Sequence, residues 1–305
     1  MAKASLWWRA VRPFSFTVSV VPPILGGIIA VLDNPGLKFN WLFFVLTLLG
    51  CVLAHAGANL LSDYYDYKSR VDRDGTFGSS GVLVEKLLRP EQVFRAAWLI
   101  FALAGLIGLY LVLSIPNSLF LLGLILLGGI LGVFYTATPV AFKYRALGDV
   151  AVFLAFGSAM VLGAYYVQAH RFSWAPVLFA IPIALLVDAV LHGNNLRDIE
   201  NDKAVHIKTL PIVLGEKLSK DLYYALIFGA YVSTVVLIVL DGLPVISLLT
   251  FLSLPLALKL VKMVKNKEKL PAQQFAMIDA ATAQFHTAFS VLLVLALLVQ
   301  HFVIS

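Results

Sequence analysis

Apolar runs of roughly 20 residues recur along the whole chain, and that is the length a helix needs to cross the hydrocarbon core of a bilayer. Inside lipid, unpaired backbone amides are too costly for open sheet or free loop, so such runs leave helices as the available fold. They fall at 16–32, 41–61, 93–113, 118–136, 148–167, 176–195, 222–240, 245–261 and 287–304. Hydrophobic residues make up 60% of the chain and charged residues 13%, with a mean hydropathy of +0.90. Soluble globular and disordered classes are excluded on that balance. The expected fold is all-α, a polytopic membrane bundle of about nine transmembrane helices arranged as two four-helix halves plus one. No long polar stretch remains to house a second unit, so residues 1–305 are expected to form a single transmembrane domain.

Charge sorts with loop length. The connections at 33–40, 114–117, 168–175 and 241–244 are short, whereas those at 62–92, 137–147, 196–221 and 262–286 are longer and polar. Of the 23 Lys and Arg residues, only Lys38 and Arg171 fall in the short set. The positive-inside rule then places the N-terminus and the long loops on the cytoplasmic face of the cell membrane. The net charge of +6 is read as this topology signal, and no nucleic-acid partner is expected. The basic N-terminal stretch runs into a full span with no small-residue cleavage site, so it is expected to be retained. A lone cysteine, Cys51, excludes an internal disulfide and argues against a cysteine metal site.

Two polar segments interrupt this pattern at the ends of apolar runs. The first presents His55, Asn59, Asp63 and Asp66, with Asp72 beyond; the second presents Asp188, His192, Asn195, Asp198 and Asp202. Spacings of three and four put each set on one helix face. Carboxylates beside a membrane span are costly unless they bind a cation or line a wet cavity. Oxygen donors without cysteine suit Mg²⁺, which is held by one or two carboxylates together with substrate phosphates. Candidate metal ligands are therefore Asn59, Asp63, Asp66, Asn195, Asp198 and Asp202. His55 and His192 read either as ligands or as hydrogen-bonded packing or substrate-lining residues. Asp188 needs a partner, and His192 one turn on is the obvious one. Cations stand near both segments: Lys68 and Arg70, Arg197 and Lys203, and Lys143 and Arg145 with Tyr144 between them. Carboxylates, Mg²⁺ and interspersed Lys/Arg make a cradle for a doubly charged leaving group. The glycines at 75, 78 and 81 make a flexible loop or lid, without the Gly-Lys-Ser/Thr ending of a P-loop.

Four stretches carry a resemblance that covers essentially the whole chain. They are Arg12-Pro13-Phe14-Ser15-Phe16-Thr17 with Pro22, Asn59 to Asp66, Phe142-Lys143-Tyr144-Arg145 with Gly148-Asp149, and Asn194-Asn195 through Asp202-Lys203 followed by Thr209-Leu210-Pro211. In these the chain resembles the UbiA superfamily of intramembrane prenyltransferases, and most closely the branch of MenA and the animal vitamin K2 prenyltransferases. The resemblance implies a nine-helix bundle with Asp-rich motifs after the second and sixth helices. It implies a prenyltransferase that moves a polyprenyl group from an allylic polyprenyl diphosphate to an aromatic acceptor, 1,4-dihydroxy-2-naphthoate in menaquinone biosynthesis. Two Mg²⁺ ions would bridge the diphosphate, with Asp63, Asp66, Asp198, Asp202 and Lys143 as the catalytic set. Asn59, Lys68, Arg70, Lys143, Tyr144, Arg145, Asn195, Arg197 and Lys203 would contact substrate, and aromatic faces such as Tyr64, Phe153 and Tyr165 would stabilise an allyl cation. The tail would leave through a side opening into membrane lipid. Leu60, His206 and Pro139 depart from the pattern of hydroxybenzoate-type members and point away from that acceptor. Two alternatives stay open: the same chemistry on 4-hydroxybenzoate or geranylgeranylglyceryl phosphate, and a cation-coupled secondary transporter.

Overall fold

The computed structural model describes residues 3–304. Among them there is no β-strand, only an isolated bridge between Arg145 and Lys208. A short helix α1 (Lys3–Ala10) precedes the membrane helices α2 (Pro13–Asp33), α3 (Trp41–Lys68), α4 (Pro90–Ser114), α5 (Leu119–Val133) and α6 (Gly148–Ala169). They continue as α7 (Ala175–Ala204), α8 (Glu216–Val239), α9 (Val245–Lys265) and α10 (Ala272–Val303). Eight of these are long and apolar enough to cross a membrane. Helix α5, with 15 residues, is shorter than the expected span at 118–136 and reaches about 22 Å at 1.5 Å per residue. It stops where Thr136, Thr138 and Pro139 follow, residues that form helix weakly or forbid a continuing turn.

Three helices run further than hydropathy suggests. Helices α3 and α7 end at Lys68 and Ala204 rather than near 61 and 195, and α10 starts at Ala272 rather than at 287. Both Asp-rich segments are therefore the last turns of membrane helices and not the loops after them. Their hydrogen-bonded backbone holds each polar residue in a fixed direction, which a loop would not do.

Between helices in lipid, close packing rather than exclusion of water supplies the attraction. Small residues permit the approach: a Cβ at Gly26 of α2 would lie 2.2 Å from the Val161 carbonyl of α6, and one at Gly157 of α6 would lie 2.3 Å from Ala184 of α7. The main core joins α2, α6, α7, α8, α9 and α10 through Leu25, Tyr165, Ile183, Ile227, Leu260 and Phe289. Outward-facing Leu106, Leu113, Val239 and Leu252 are exposed, as an apolar surface meeting lipid must be. This is an integral membrane protein. One end of the bundle gathers the polar connections. There Ala146 N donates to Lys208 O at 2.6 Å, and Lys267 Nζ donates to Leu196 O at 3.0 Å. At the other end Arg171 reaches Asp33 at 3.1 Å.

Candidate active site

The end of α3 folds back on itself. The Asp66 carbonyl accepts from Val71 N at 2.8 Å and from Asp72 N at 3.1 Å, which brings Asp72 beside the helix it follows. The Asp66 carboxylate accepts three bonds of its own. It accepts from Ser62 Oγ at 3.0 Å, Lys143 Nζ at 2.8 Å and the Tyr144 hydroxyl at 2.6 Å. Asp63 is held by Arg12 and by Ser80. Asn59 donates both amide hydrogens, to Val11 O at 3.0 Å and Ser15 Oγ at 3.2 Å, so its side-chain oxygen is the atom left over.

The end of α7 is built differently. Arg197 clamps Asp198 with two bonds, Nε to Oδ1 at 2.9 Å and Nη2 to Oδ2 at 2.7 Å. It also reaches Asp279 of α10 at 2.9 Å and the Ala276 carbonyl at 3.0 Å. Asp202 is 3% exposed, and among the described residues no side chain or amide bonds its carboxylate. The connection between α3 and α4 lies over this face: a Cβ at Gly78, whose φ is +95, would sit 3.0 Å from Asp198 Oδ2 and 2.5 Å from Arg197.

A cavity of about 370 Å³ opens between the two segments. Its polar end is lined by Asn59, Asp72, Lys143, Asn195, Asp198 and Asp202, and its remainder mostly by apolar residues of α2 to α7. Of the expected substrate contacts, Asn59, Lys143 and Asn195 line it. Lys68, Arg70, Arg145 and Lys203 are exposed and lie outside the wall. Arg145 instead donates to Pro139 O at 2.7 Å and Lys203 pairs with Glu200 at 3.0 Å. Tyr144 and Arg197 stand behind the wall and hold carboxylates. The expected aromatic faces are not those at the cavity. Tyr64 packs on Phe94, and Tyr165 bonds Asp33 at the far end; Phe14, Phe77, Phe101, Tyr135 and Phe156 line the wall instead. Arg12, Asp72 and Asp279 also line it. Arg12 lies in the first of the stretches that carry the resemblance, while Asp279 carries no motif signal.

The electrostatics tie the two segments together. Burial pushes the Asp72 carboxyl up to about 7, and the neighbouring Asp66 charge pushes in the same direction, with a further contribution from Asp198. Burial alone would lower the Lys143 ammonium, but Asp66, Tyr144, Tyr135 and Asp202 outweigh it, so its pKa ends raised and the charge is kept. Burial and then Asp66 raise the Tyr144 hydroxyl, which stays neutral. Carboxylates from both segments thus share one space with one ammonium between them. Among the described residues no three His, Cys, Asp or Glu side chains converge to hold a metal unaided. Two buried, unbonded carboxylates, Asp72 and Asp202, with an Asn oxygen, fit Mg²⁺ in its usual manner, completed by substrate phosphate and water.

His192 does not pair with Asp188. Its Nδ1 lies 2.7 Å from Asp149 Oδ1 and its Nε2 donates to the Ser219 carbonyl at 3.0 Å. The expectation came from helical spacing, yet α6 presents a carboxylate at shorter range across the helix interface. The pair pins the start of α6, just after the Lys143 loop, against α7.

A model of the UbiA prenyltransferase family matches residues 20–289. The chain is 32% identical over 295 residues to the 1,4-dihydroxy-2-naphthoate octaprenyltransferase of Bacillus subtilis (strain 168), covering 97% of this chain and 93% of that protein. It is 33% identical over 276 residues to UbiA prenyltransferase domain-containing protein 1 of Homo sapiens, covering 88% and 78% respectively. Its fold is similar to that of a UbiA homolog from Archaeoglobus fulgidus bound to DMAPP and Mg²⁺, with a TM-score of 0.63, 17% identity and 93% and 99% coverage. It is also similar to an apo UbiA homolog from Aeropyrum pernix K1, with a TM-score of 0.66, 16% identity and 90% and 96% coverage.

Proposed function

The chain belongs to the UbiA prenyltransferase family, and from that premise we propose that it transfers a polyprenyl group from an allylic diphosphate to 1,4-dihydroxy-2-naphthoate, with Mg²⁺, in the making of menaquinone. The observation that carries this is the meeting of two Asp/Asn helix ends at the polar mouth of an otherwise apolar cavity, with Lys143 between them. The Bacillus subtilis relative, named for that compound, supports this choice of acceptor.

The diphosphate sits at the polar end and the tail along the apolar wall. Asp72, Asp198, Asp202, Asn59 and Asn195 would hold Mg²⁺ there, two ions on this reading. Mg²⁺ bound by these residues would supply charge neutralisation for the departing diphosphate. Asp66 keeps Lys143 charged and aimed at the same phosphate oxygens, and Asp63 does so for Arg12. Phe77, Phe156 and Tyr135 at the wall keep water from the allyl cation and offer it ring faces. The basic end of the bundle faces the cytoplasm of the cell membrane, and the exposed apolar belt contacts lipid.

The test uses purified protein, Mg²⁺, radiolabelled geranylgeranyl diphosphate and a panel of aromatic acceptors, with and without EDTA. Transfer to dihydroxynaphthoate that EDTA abolishes supports the assignment. Transfer to a different acceptor would overturn the acceptor, and transfer undiminished by EDTA would overturn the metal.

A further inference from the structure

The cavity has a closed far end and an open side. From its polar mouth it follows α3 from Asn59 to Thr47, about 18 Å at 1.5 Å per residue. Leu111, Leu121 and Val167 line its far end, are buried, and pack with Ile115 and Tyr166 into one apolar cluster. The Tyr166 hydroxyl donates to Asn117 O at 2.8 Å and ties that cluster to the turn between α4 and α5. A chain entering from the polar mouth finds no exit there.

The register between α4 and α5 places the side opening. A Cβ at Gly132 of α5 would lie 3.6 Å from Phe101 of α4, and one at Gly108 of α4 would lie 3.2 Å from Ile125 of α5. The two helices are therefore antiparallel, and these contacts stand about 10 Å apart along the axis. Between them the register sets Gly105 opposite Gly128 and Ala104 opposite Gly129, and all four residues line the cavity. Facing small residues ordinarily let two helices close on one another. Here, among the described residues and the helix's own backbone apart, no atom lies within 4 Å of a Cβ built at Gly105, Gly128 or Gly129. Gly105 and Gly129 are also exposed. The gap joins the cavity to the outer surface near the middle of α4. On α3 its level is fixed by Gly57, which faces Phe101, and Gly50, which faces Ile107. It thus lies about 9 Å along α3 from Asn59.

We propose that the prenyl tail leaves the cavity through this gap between α4 and α5, and that Gly105 and Gly128 set the length of prenyl chain the protein accepts. This rests on the allylic diphosphate proposed above as donor. The isoprene units nearest the diphosphate meet the fixed wall of the cavity. Past the gap, further units lie in lipid, which is as apolar as they are, so added length costs nothing. A donor short enough to end inside the cavity never reaches the gap. Side chains at Gly105 and Gly128 would close it and leave a blind pocket ending at Leu111, Leu121 and Val167. Because the gap opens onto hydrocarbon and not onto water, an exit for the tail is no entry for water to the allyl cation.

Gly105→Leu, Gly128→Leu and the double variant test this with Mg²⁺, dihydroxynaphthoate and geranyl, geranylgeranyl and octaprenyl diphosphates. The new side chains enter open space and replace glycine within helices by a better helix former, so the variants are expected to fold, as checked by monodispersity. In the double variant kcat/KM for octaprenyl diphosphate is expected to fall by about tenfold or more, while that for geranyl diphosphate stays within about twofold of wild type. Gly123→Leu is the control: it has the same open space on the exposed face of α5 but lies outside the cavity wall, and it leaves every donor unchanged. A double variant that takes octaprenyl diphosphate as wild type does, or that loses all donors alike, overturns the assignment. So does a Gly123→Leu enzyme with the same selective loss, or a wild type that uses geranyl and rejects octaprenyl diphosphate. Wild-type protein that transfers from none of the donors overturns the functional reading itself, which is a distinguishable failure.

Discussion

The ends of α3 and α7 look alike as sequence and differ as structure. At the end of α3 both helix carboxylates accept from protein donors: Asp63 from Arg12 and Ser80, and Asp66 from Ser62, Lys143 and Tyr144. At the end of α7, Asp202 accepts no bond among the described residues, and a protein cation clamps Asp198 alone. Both ends hold cations in place, Arg12 and Lys143 at one and Arg197 at the other, but the end of α7 also presents a helix carboxylate, Asp202, without a protein donor among the described residues. Asp72 gives the α3 side its own unbonded carboxylate, from a turn rather than from the helix. On the proposed function, a doubly charged leaving group needs both fixed cations and places for metal, and these two ends would supply them.

The comparison breaks most plainly at Asp202. Asp202→Ala is expected to lower kcat by about 10³-fold while the fold persists, because it removes a metal ligand and no protein contact. Near-normal turnover would put Asp202 outside the metal site. Asp66→Ala should act in two ways. It is expected to lower kcat by about 10²-fold, through a misplaced Lys143, and to destabilise the protein by about 3–5 kcal/mol, since it strands a buried ammonium. A loss of activity without a fall in the unfolding midpoint would contradict the division of roles.

The Asp72 carboxyl supplies a smaller, pH-dependent effect. An unfolded Asp loses its proton near pH 4, whereas the folded carboxyl is pushed up to about 7. Between these values the folded state holds a proton that the unfolded state has lost, so stability from this group falls as pH rises from about 4 to about 7. In metal-free protein, Asp72→Asn should therefore be the more stable form at pH 8, and the advantage should vanish below pH 4. Added Mg²⁺ should reverse the order at pH 8. Smallest of all, Lys68→Ala, Arg145→Ala and Lys203→Ala should each leave kcat/KM within about twofold, as expected of solvated charges.

Much of this was legible in the sequence, for physical reasons. Membrane spans announce themselves because lipid tolerates so little else, and two Asn/Asp stripes stand out against apolar helices. Lys143 was legible from its loop. The partners were not, because they are set by contacts between helices: Arg12 finds Asp63 across 51 residues and His192 finds Asp149 across 43. Helical spacing favoured Asp188 for His192 because it sees only neighbours on the same helix. Hydropathy ended α3 and α7 too early, since charged last turns look like loop to a sliding average. The wall aromatics Tyr135 and Phe156 carry no pattern of their own, and the choice of cations was obscured because topology alone places Lys and Arg at that end.

The central claim is that both helix ends hold metal jointly with the diphosphate. It is tested most directly by electron paramagnetic resonance of Mn²⁺, as a stand-in for Mg²⁺, with a non-cleavable prenyl thiodiphosphate. The measurement is made on the wild type, Asp72→Ala and Asp202→Ala. The account predicts Mn²⁺ bound by the wild type in the presence of the thiodiphosphate, and weakened or lost in each variant. Mn²⁺ binding that is unchanged in both variants would contradict it.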